Sequence, residues 1–492
     1  MSESHRVEKA RYLRFFQEDE IGRSGREEEI RTTPLFSLSV KRLVEKHELP
    51  STSTSFPCQE DRKATASSVP VLSQFGLLGF HTGEHTEIDE KEPIMLNINA
   101  PNSVFICGSQ GSGKSYTLSC MLENCLLADK DLGIMHQPVA GVVFHYDTDS
   151  ANSAVAEAAS LCSRGVRVRV LVSPSNKRKL QDAYSRLPGA AENLEMVPLT
   201  LSDKHLSVER MLRLMAFSET EGSVPLYMEV IQRILRQMAI AEIDFTMATF
   251  EKYLNQENFA PGQRAMMDMR LNLLRSFLVP KQSKKRQRFV ESDDLFESAP
   301  GTLTVVDLSD PFIDTSTVCV LFEICLGLVK EHRPKAGLVV TLDEAHKFLN
   351  GSSAATSFTD RLLTTIREQR HNATRVLIAT QEPTLSSKLL DLCSVSVVHH
   401  FKSPAWFAAI RSHLGGASGL IAKGGEQEKL FESIVNLKTG ESLVFAAEAF
   451  VCVDESIEPG KLGAGVMRMK TRKRAGADEG MSVLASDSIV HQ

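Results

Sequence analysis

Three observations predict an α/β fold built on a mainly parallel sheet. Short runs of β-branched and other apolar residues alternate with helical segments along two stretches of the chain, the pattern of buried parallel strands joined by crossover helices. One run leads into a glycine-rich loop that opens a helix, and another ends in two acidic residues. Composition agrees: 42% of the 492 residues are hydrophobic and 24% charged, which excludes collagen-like, coiled-coil and wholly disordered chains.

Residues 1–74 alternate charged clusters with Ser/Thr-rich stretches, and only Phe36 to His47 carries a trace of period. They are expected to be largely disordered. Strands are expected at Ser103 to Cys107, Val142 to Tyr146 and Val166 to Val172, making 75–174 the first part of the sheet domain. Further strands at Leu303 to Val306, Leu338 to Leu342, Val376 to Ala379, Val395 to His399 and Leu443 to Phe445 make 301–455 its second part. Between them, 175–300 reads as a helical insertion, with Met228, Ile231, Ile234, Leu235 and Met238 three and four apart. Its methionines are read as core filler rather than as an adaptable groove. A basic run, Lys281, Lys284, Lys285, Arg286 and Arg288, closes the insertion. Residues 456–492 are expected to be a flexible tail carrying Arg468, Lys470, Arg472, Lys473 and Arg474.

The nine cysteines include no C-x-x-C pair, so reduced thiols are expected rather than a zinc knuckle or a disulfide framework. The longest apolar stretch, Val318 to Val329, is interrupted by Glu323 and falls short of the roughly 20 residues a membrane helix needs. The amino terminus lacks the apolar core of a signal peptide, so a cytoplasmic or nuclear location is expected. Net charge is −6, which leaves any contact with nucleic acid to local basic segments.

The strongest motif is Gly108, Ser109, Gln110, Gly111, Ser112, Gly113, Lys114 and Ser115, a full G-x-x-x-x-G-K-[ST] match between a strand and the helical run that starts at Tyr116. Such a loop turns backbone N–H groups toward phosphates at a helix N-terminus. Lys114 is expected to contact the β- and γ-phosphates of ATP, and the Ser115 hydroxyl to ligate Mg²⁺. The second motif is the apolar strand that ends in Asp343 and Glu344. There Asp343 is expected to hold Mg²⁺ through water, and Glu344 to orient the attacking water. Asp343 to His346 spell DEAH, but 229 residues separate Lys114 from Asp343 and no Q-x-x-G-R-x-G-R follows, so a DEAH-box helicase is set aside and His346 is read as a helix-start residue. A third strand ends in Gln381, 38 residues after Asp343. Parallel strands bring their carboxyl ends to one rim, where Gln381 can reach the γ-phosphate or the water. Among Arg361, Arg367, Arg370 and Arg375, the reading favours Arg370 as the guanidinium that meets developing charge.

The order of Walker A, long insertion, L-T-V-V-D-L-S-D, LDEAHKFL, REQRHNATRVLIATQEPTLSSKLL and LKTGESLVFA, spanning roughly 77–455, resembles the HerA/FtsK superfamily of hexameric DNA-translocating ATPases, HerA more closely. The resemblance implies a RecA-like P-loop NTPase sheet, a homo-hexamer, DNA as the track and an arginine acting on the neighbouring subunit's nucleotide, by position Arg370. Residues 1–74 do not read as the amino-terminal β-barrel of HerA, which removes the basis for a nuclease partner. An NTP-dependent switch or scaffold that moves no DNA would use the same motifs.

Overall fold

The computed structural model describes residues 22–48, 70–83, 88–147, 155–215, 226–243, 245–259, 261–278, 295–414, 426–453 and 458–476. Among them sixteen strands join into one sheet. Eight are parallel neighbours in the order β12 (Val395–His399), β4 (Ser103–Cys107), β11 (Thr374–Thr380), β10 (Leu338–Leu342), β6 (Ala140–His145), β9 (Thr302–Asp307), β7 (Arg167–Val172) and β8 (Leu194–Pro198). A single strand, β11, lies between the P-loop strand β4 and the acidic strand β10, in keeping with the RecA-like sheet that the resemblance implies.

Alternation along each strand builds two cores. Phe105, Val340, Val376 and Ile378 face the helices Thr315–Glu331 and Ser353–Arg367. Val104, Ile106, Val339 and Leu377 face the P-loop helix Lys114–Leu126. Burial on both faces explains why these strands read as continuous apolar runs. The apolar stretch around Val318 lies in a 17-residue helix, and among the described residues no helix is long and apolar enough to cross a membrane.

The insertion contains the helices Lys177–Tyr184, Val208–Met215, Leu226–Ile240, Met247–Leu254 and Pro261–Ser276. Met211, Met215, Met228, Met238, Met247 and Met267 fill a separate small core, whereas Met269 is 74% exposed. The expectation of helices alone is corrected at β8, which extends the parallel sheet beside β7. The run Lys281 to Arg288 lies outside the described residues.

Two further expectations are corrected by an antiparallel flank. Within residues 1–74, a helix Gly22–Thr32, β1 (Leu35–Ser37) and a helix Leu38–Glu48 are ordered, with Leu35 and Phe36 fully buried. β1 pairs with β3 (Pro93–Asn97), which pairs with β2 (Phe75–His81). A three-residue strand supplies too little alternation to be visible in sequence; its partner across the sheet supplies the order. The supposed tail also enters the sheet, because β16 (Met467–Thr471) lies between β2 and β13 (Glu441–Phe445). The remaining strands are β5 (Gly133–Ile134), β14 (Phe450–Val453) and β15 (Pro459–Lys461), at the margins.

Candidate nucleotide-binding site

Because β4, β11, β10, β6 and β9 run parallel, their carboxyl ends share one rim, which carries Gly108, Gln381, Asp343, His145 and Asp307. At β4 the chain leaves the sheet through Gly108, where a Cβ would come within 2.7 Å of the His399 Cβ. It enters the helix through Gly113, which caps it at φ +106°. A side chain at Gly113 would meet the Gly440 backbone at 3.0 Å, so glycine serves both conformation and close approach. The Thr117 N–H is bonded to the Gly113 carbonyl at 3.0 Å. The N–H groups ahead of it, on Lys114, Ser115 and Tyr116, belong to the first turn, which has no intrahelical acceptors.

The loop is fixed from its flank. Ser109 donates its N–H and hydroxyl to the His400 carbonyl at 2.8 and 2.9 Å, and the Gly440 N–H donates to the Ser112 carbonyl at 3.1 Å. His399 Nδ1 is 3.0 Å from the Glu441 carbonyl and its Nε2 is 3.1 Å from the Thr117 hydroxyl, which contacts the Thr471 hydroxyl at 2.8 Å. A carbonyl partner requires a protonated Nδ1, so Nε2 is the acceptor for Thr117. Burial lowers the His399 pKa to about 4, with Lys114 nearby acting in the same direction. Gln110 and Gly111 stay exposed at the mouth, while the Ser112 Oγ is buried without a hydrogen-bond partner.

Lys114 is 4% exposed and donates to the Ser109 carbonyl at 3.1 Å. Burial lowers its pKa, and Glu344 and Asp343 act in the opposite direction. Asp343 is 6% exposed; its Oδ1 is buried without a partner, and its Oδ2 lies 3.5 Å from His145 Nδ1. Burial opposes charge on His145, yet Asp343 and Asp307 outweigh it and raise its pKa to about 9. Asp307 in turn accepts the Tyr184 hydroxyl at 2.6 Å.

Glu344 has φ +48°, a left-handed turn uncommon outside glycine and asparagine that directs its carboxylate toward Gln381. Gln381 Nε2 donates to Glu344 Oε1 at 3.0 Å. His346 Nδ1 lies 3.4 Å from the Gln381 N–H and 3.3 Å from Glu344 Oε2, and its pKa is lowered, chiefly by burial. A neutral His346 that accepts from Gln381 leaves Glu344 Oε2 buried with no hydrogen bond. His346 thus does more than start a helix: it joins Glu344 to Gln381.

Arg370 is the one predicted residue not gathered here. It precedes β11 at its amino end, whereas Gln381 follows the carboxyl end, about 20 Å of strand away at roughly 3.3 Å per residue. Arg370 is exposed on the opposite rim. Arg375 is buried and donates to the Ile98 and Ala373 carbonyls, a structural role.

The donors fit a nucleotide and a magnesium ion. Glycine backbone fills the space that side chains would block, the orphaned Ser112 Oγ faces no protein partner, and Asp343 Oδ1 is a buried carboxylate oxygen without a hydrogen bond. Among the described residues no three His, Cys, Asp or Glu side chains cluster to cage a metal. Mg²⁺ typically keeps waters and phosphate oxygens and needs only one or two protein ligands, and Ser115 with Asp343 would supply them.

The fold and site define a P-loop nucleotide-binding protein of RecA-like topology. No protein-family model matches the sequence, and no curated protein does. Among solved structures, the chain is similar to VirB4 of Thermoanaerobacter pseudethanolicus, at 10% identity and TM-score 0.49, over 82% of this chain and 97% of that one. It is also similar to the plasmid coupling protein TrwB bound to a GTP analogue, at 11% identity and TM-score 0.40, over 82% and 96%. A third likeness is to the DNA-packaging ATPase of Sulfolobus turreted icosahedral virus, at 13% identity and TM-score 0.32, over 70% and 93%.

Sequence reasoning missed His145, His399, Gly440 and Thr471. Each lies in or beside a strand end, but only the folded register reveals which strand ends meet the loop.

Proposed function

We propose that the chain is an ATP-hydrolysing, Mg²⁺-dependent motor of the HerA/FtsK kind that works as a ring of identical subunits, six by the family pattern, and moves DNA. The observation that carries the chemistry is the state of Glu344: one carboxylate oxygen is held by Gln381, and the other is buried without a hydrogen bond, next to Asp343 and within electrostatic reach of Lys114.

Lys114 and the first-turn N–H groups hold the triphosphate. Ser115 and Asp343 would hold Mg²⁺, which would supply positive charge at the triphosphate. Glu344 Oε2 takes the proton of a water whose oxygen bonds to the γ-phosphorus; the bond from that phosphorus to the β,γ-bridging oxygen breaks, and ADP and phosphate leave. Gln381 orients Glu344 through their hydrogen bond and registers the γ-phosphate. Arg370 stands on the rim opposite Lys114, Glu344 and Gln381, which supports the reading that it serves a neighbouring subunit's nucleotide.

The test is ATP turnover of purified protein with and without double-stranded DNA. Turnover that rises severalfold with DNA, and falls at least about 100-fold in Glu344→Gln while ATP still binds, is the expected result. Normal hydrolysis by Glu344→Gln would sink the site assignment. One observation favours the second reading, a nucleotide switch that moves no DNA: Arg472 and Arg474 are spent on internal ion pairs, which leaves less of the carboxy-terminal basic cluster for phosphates. Turnover indifferent to DNA would support that reading.

A further inference from the structure

The last described residues, 472–476, form a strap across the P-loop helix. Its anchor is Arg472, 5% exposed, which binds Glu123 Oε2 at 2.7 Å, Asn124 Oδ1 at 3.0 Å, and the Leu77 and Cys120 carbonyls at 2.6 and 3.2 Å. The N–H groups of Ala475 and Gly476 close on Glu123 Oε1 at 2.9 and 2.8 Å. Arg474 makes contacts of another kind. Its guanidinium lies 4.4 Å over the Tyr116 ring, its backbone N–H donates to the Tyr116 hydroxyl at 2.8 Å, and its Nη2 pairs with Glu157 Oε2 at 2.7 Å.

Those contacts converge on the nucleotide site. Tyr116 directly follows Ser115 in the first turn of the P-loop helix. Through Arg474, which lies over Tyr116, Glu157 stands by the first turn of that helix, and with Glu344 and Asp343 it is one of the carboxylates whose charge bears on Lys114. Glu344 and Asp343 have tasks in the proposed chemistry. Glu157 has none, and a bare carboxylate at the rim of a triphosphate site repels the ligand.

We propose that Arg474 is a positioning residue of the nucleotide site: delivered by the carboxy-terminal strap, it neutralises Glu157 and fixes Tyr116, so that triphosphate binding depends on the strap. The proposal rests on the P-loop binding ATP. It converts a basic cluster that reads in sequence as a solvated tail into a working part of the site.

The experiment is ATP binding to the full-length chain by calorimetry, with magnesium, for five variants. Arg474→Gln is expected to weaken binding about tenfold, the scale of one uncompensated charge near a phosphate at protein-like dielectric. Adding Glu157→Gln to it restores affinity to within about twofold of the parent, because the repelling carboxylate is gone. Arg474→Lys, which keeps the charge, also stays within about twofold. Glu157→Gln alone, which leaves Arg474 untouched, tightens binding about threefold. This last variant keeps the test alive if Arg474→Gln does not fold. A double variant as weak as Arg474→Gln, or unchanged or weaker binding in Glu157→Gln, overturns the inference. Lys114→Ala serves as the control: if it binds ATP normally, the nucleotide reading itself falls. If it loses ATP while Arg474→Gln does not, only the inference falls.

Discussion

His399 carries more of the site than its place at the end of an apolar strand suggests. It is the wedge between the P-loop, Thr117 and the Glu441 carbonyl, and it works only as a neutral ring. Its folded pKa of about 4 lies below the ordinary 6.5. The unfolded chain therefore binds this proton first, and stability is full above pH 6.5 and falls as pH drops toward 4, by on the order of 3 kcal/mol. His145 acts in the other window: its pKa is raised to about 9, so its contribution is present below pH 6.5 and is lost as pH rises through 9. Thermal melts at pH 7 and pH 5 should show a steeper loss for the parent than for His399→Gln. Equal slopes would remove His399 as the acid-sensitive wedge. Among single residues, those with a chemical signature were legible: Lys114, Ser115, Asp343 and Glu344 stand in motifs whose spacing follows from phosphate geometry. His399 and His145 carry no such signature, because their roles arise from register between strands hundreds of residues apart.

Elements buried on both faces were legible for a related reason. β4, β10 and β12 have the bounds that their apolar runs predict, since a parallel strand under helices must be apolar throughout. The antiparallel flank escaped because its members are short, and because Arg468 and Lys470 alternate with buried Met467 and Met469 in β16. Charge on alternate residues is what a half-exposed strand requires, yet beside Lys473 and Arg474 it reads as a basic tail. The strap that follows is held by the buried pair of Arg472 and Glu123, with side chains 4% and 1% exposed. Removing one partner strands the other's charge, so Arg472→Ala should cost about 3–5 kcal/mol. Denaturant unfolding checks this, and a loss below about 1 kcal/mol, the worth of a surface pair, would show that the strap does not anchor the P-loop helix.

The whole molecule separates its chemistry onto opposite rims. Lys114, Glu344 and Gln381 share the carboxyl rim, and Arg370 stands on the other. If Arg370 acts on a neighbouring subunit's nucleotide, as proposed, a subunit lacking it can still be served by its neighbour's. Mixing Arg370→Ala with Glu344→Gln subunits, each inactive alone, should recover part of the turnover, measured as ATPase rate across mixing ratios. No recovery at any ratio would exclude a role in trans.

One consequence of the sheet order concerns how such a chain is made. β16 is the bond between the antiparallel flank and the parallel core, paired to β2 on one side and β13 on the other, yet it comes last among the described strands. A ribosome makes every other described strand before this join can form, so until then β2 and β13 lack this partner, leaving edges of the kind that invite wrong pairing. Nascent chains of this protein should therefore depend on being shielded until Met467–Thr471 has emerged, and transcripts truncated shortly before Met467 should yield products that proteases clear.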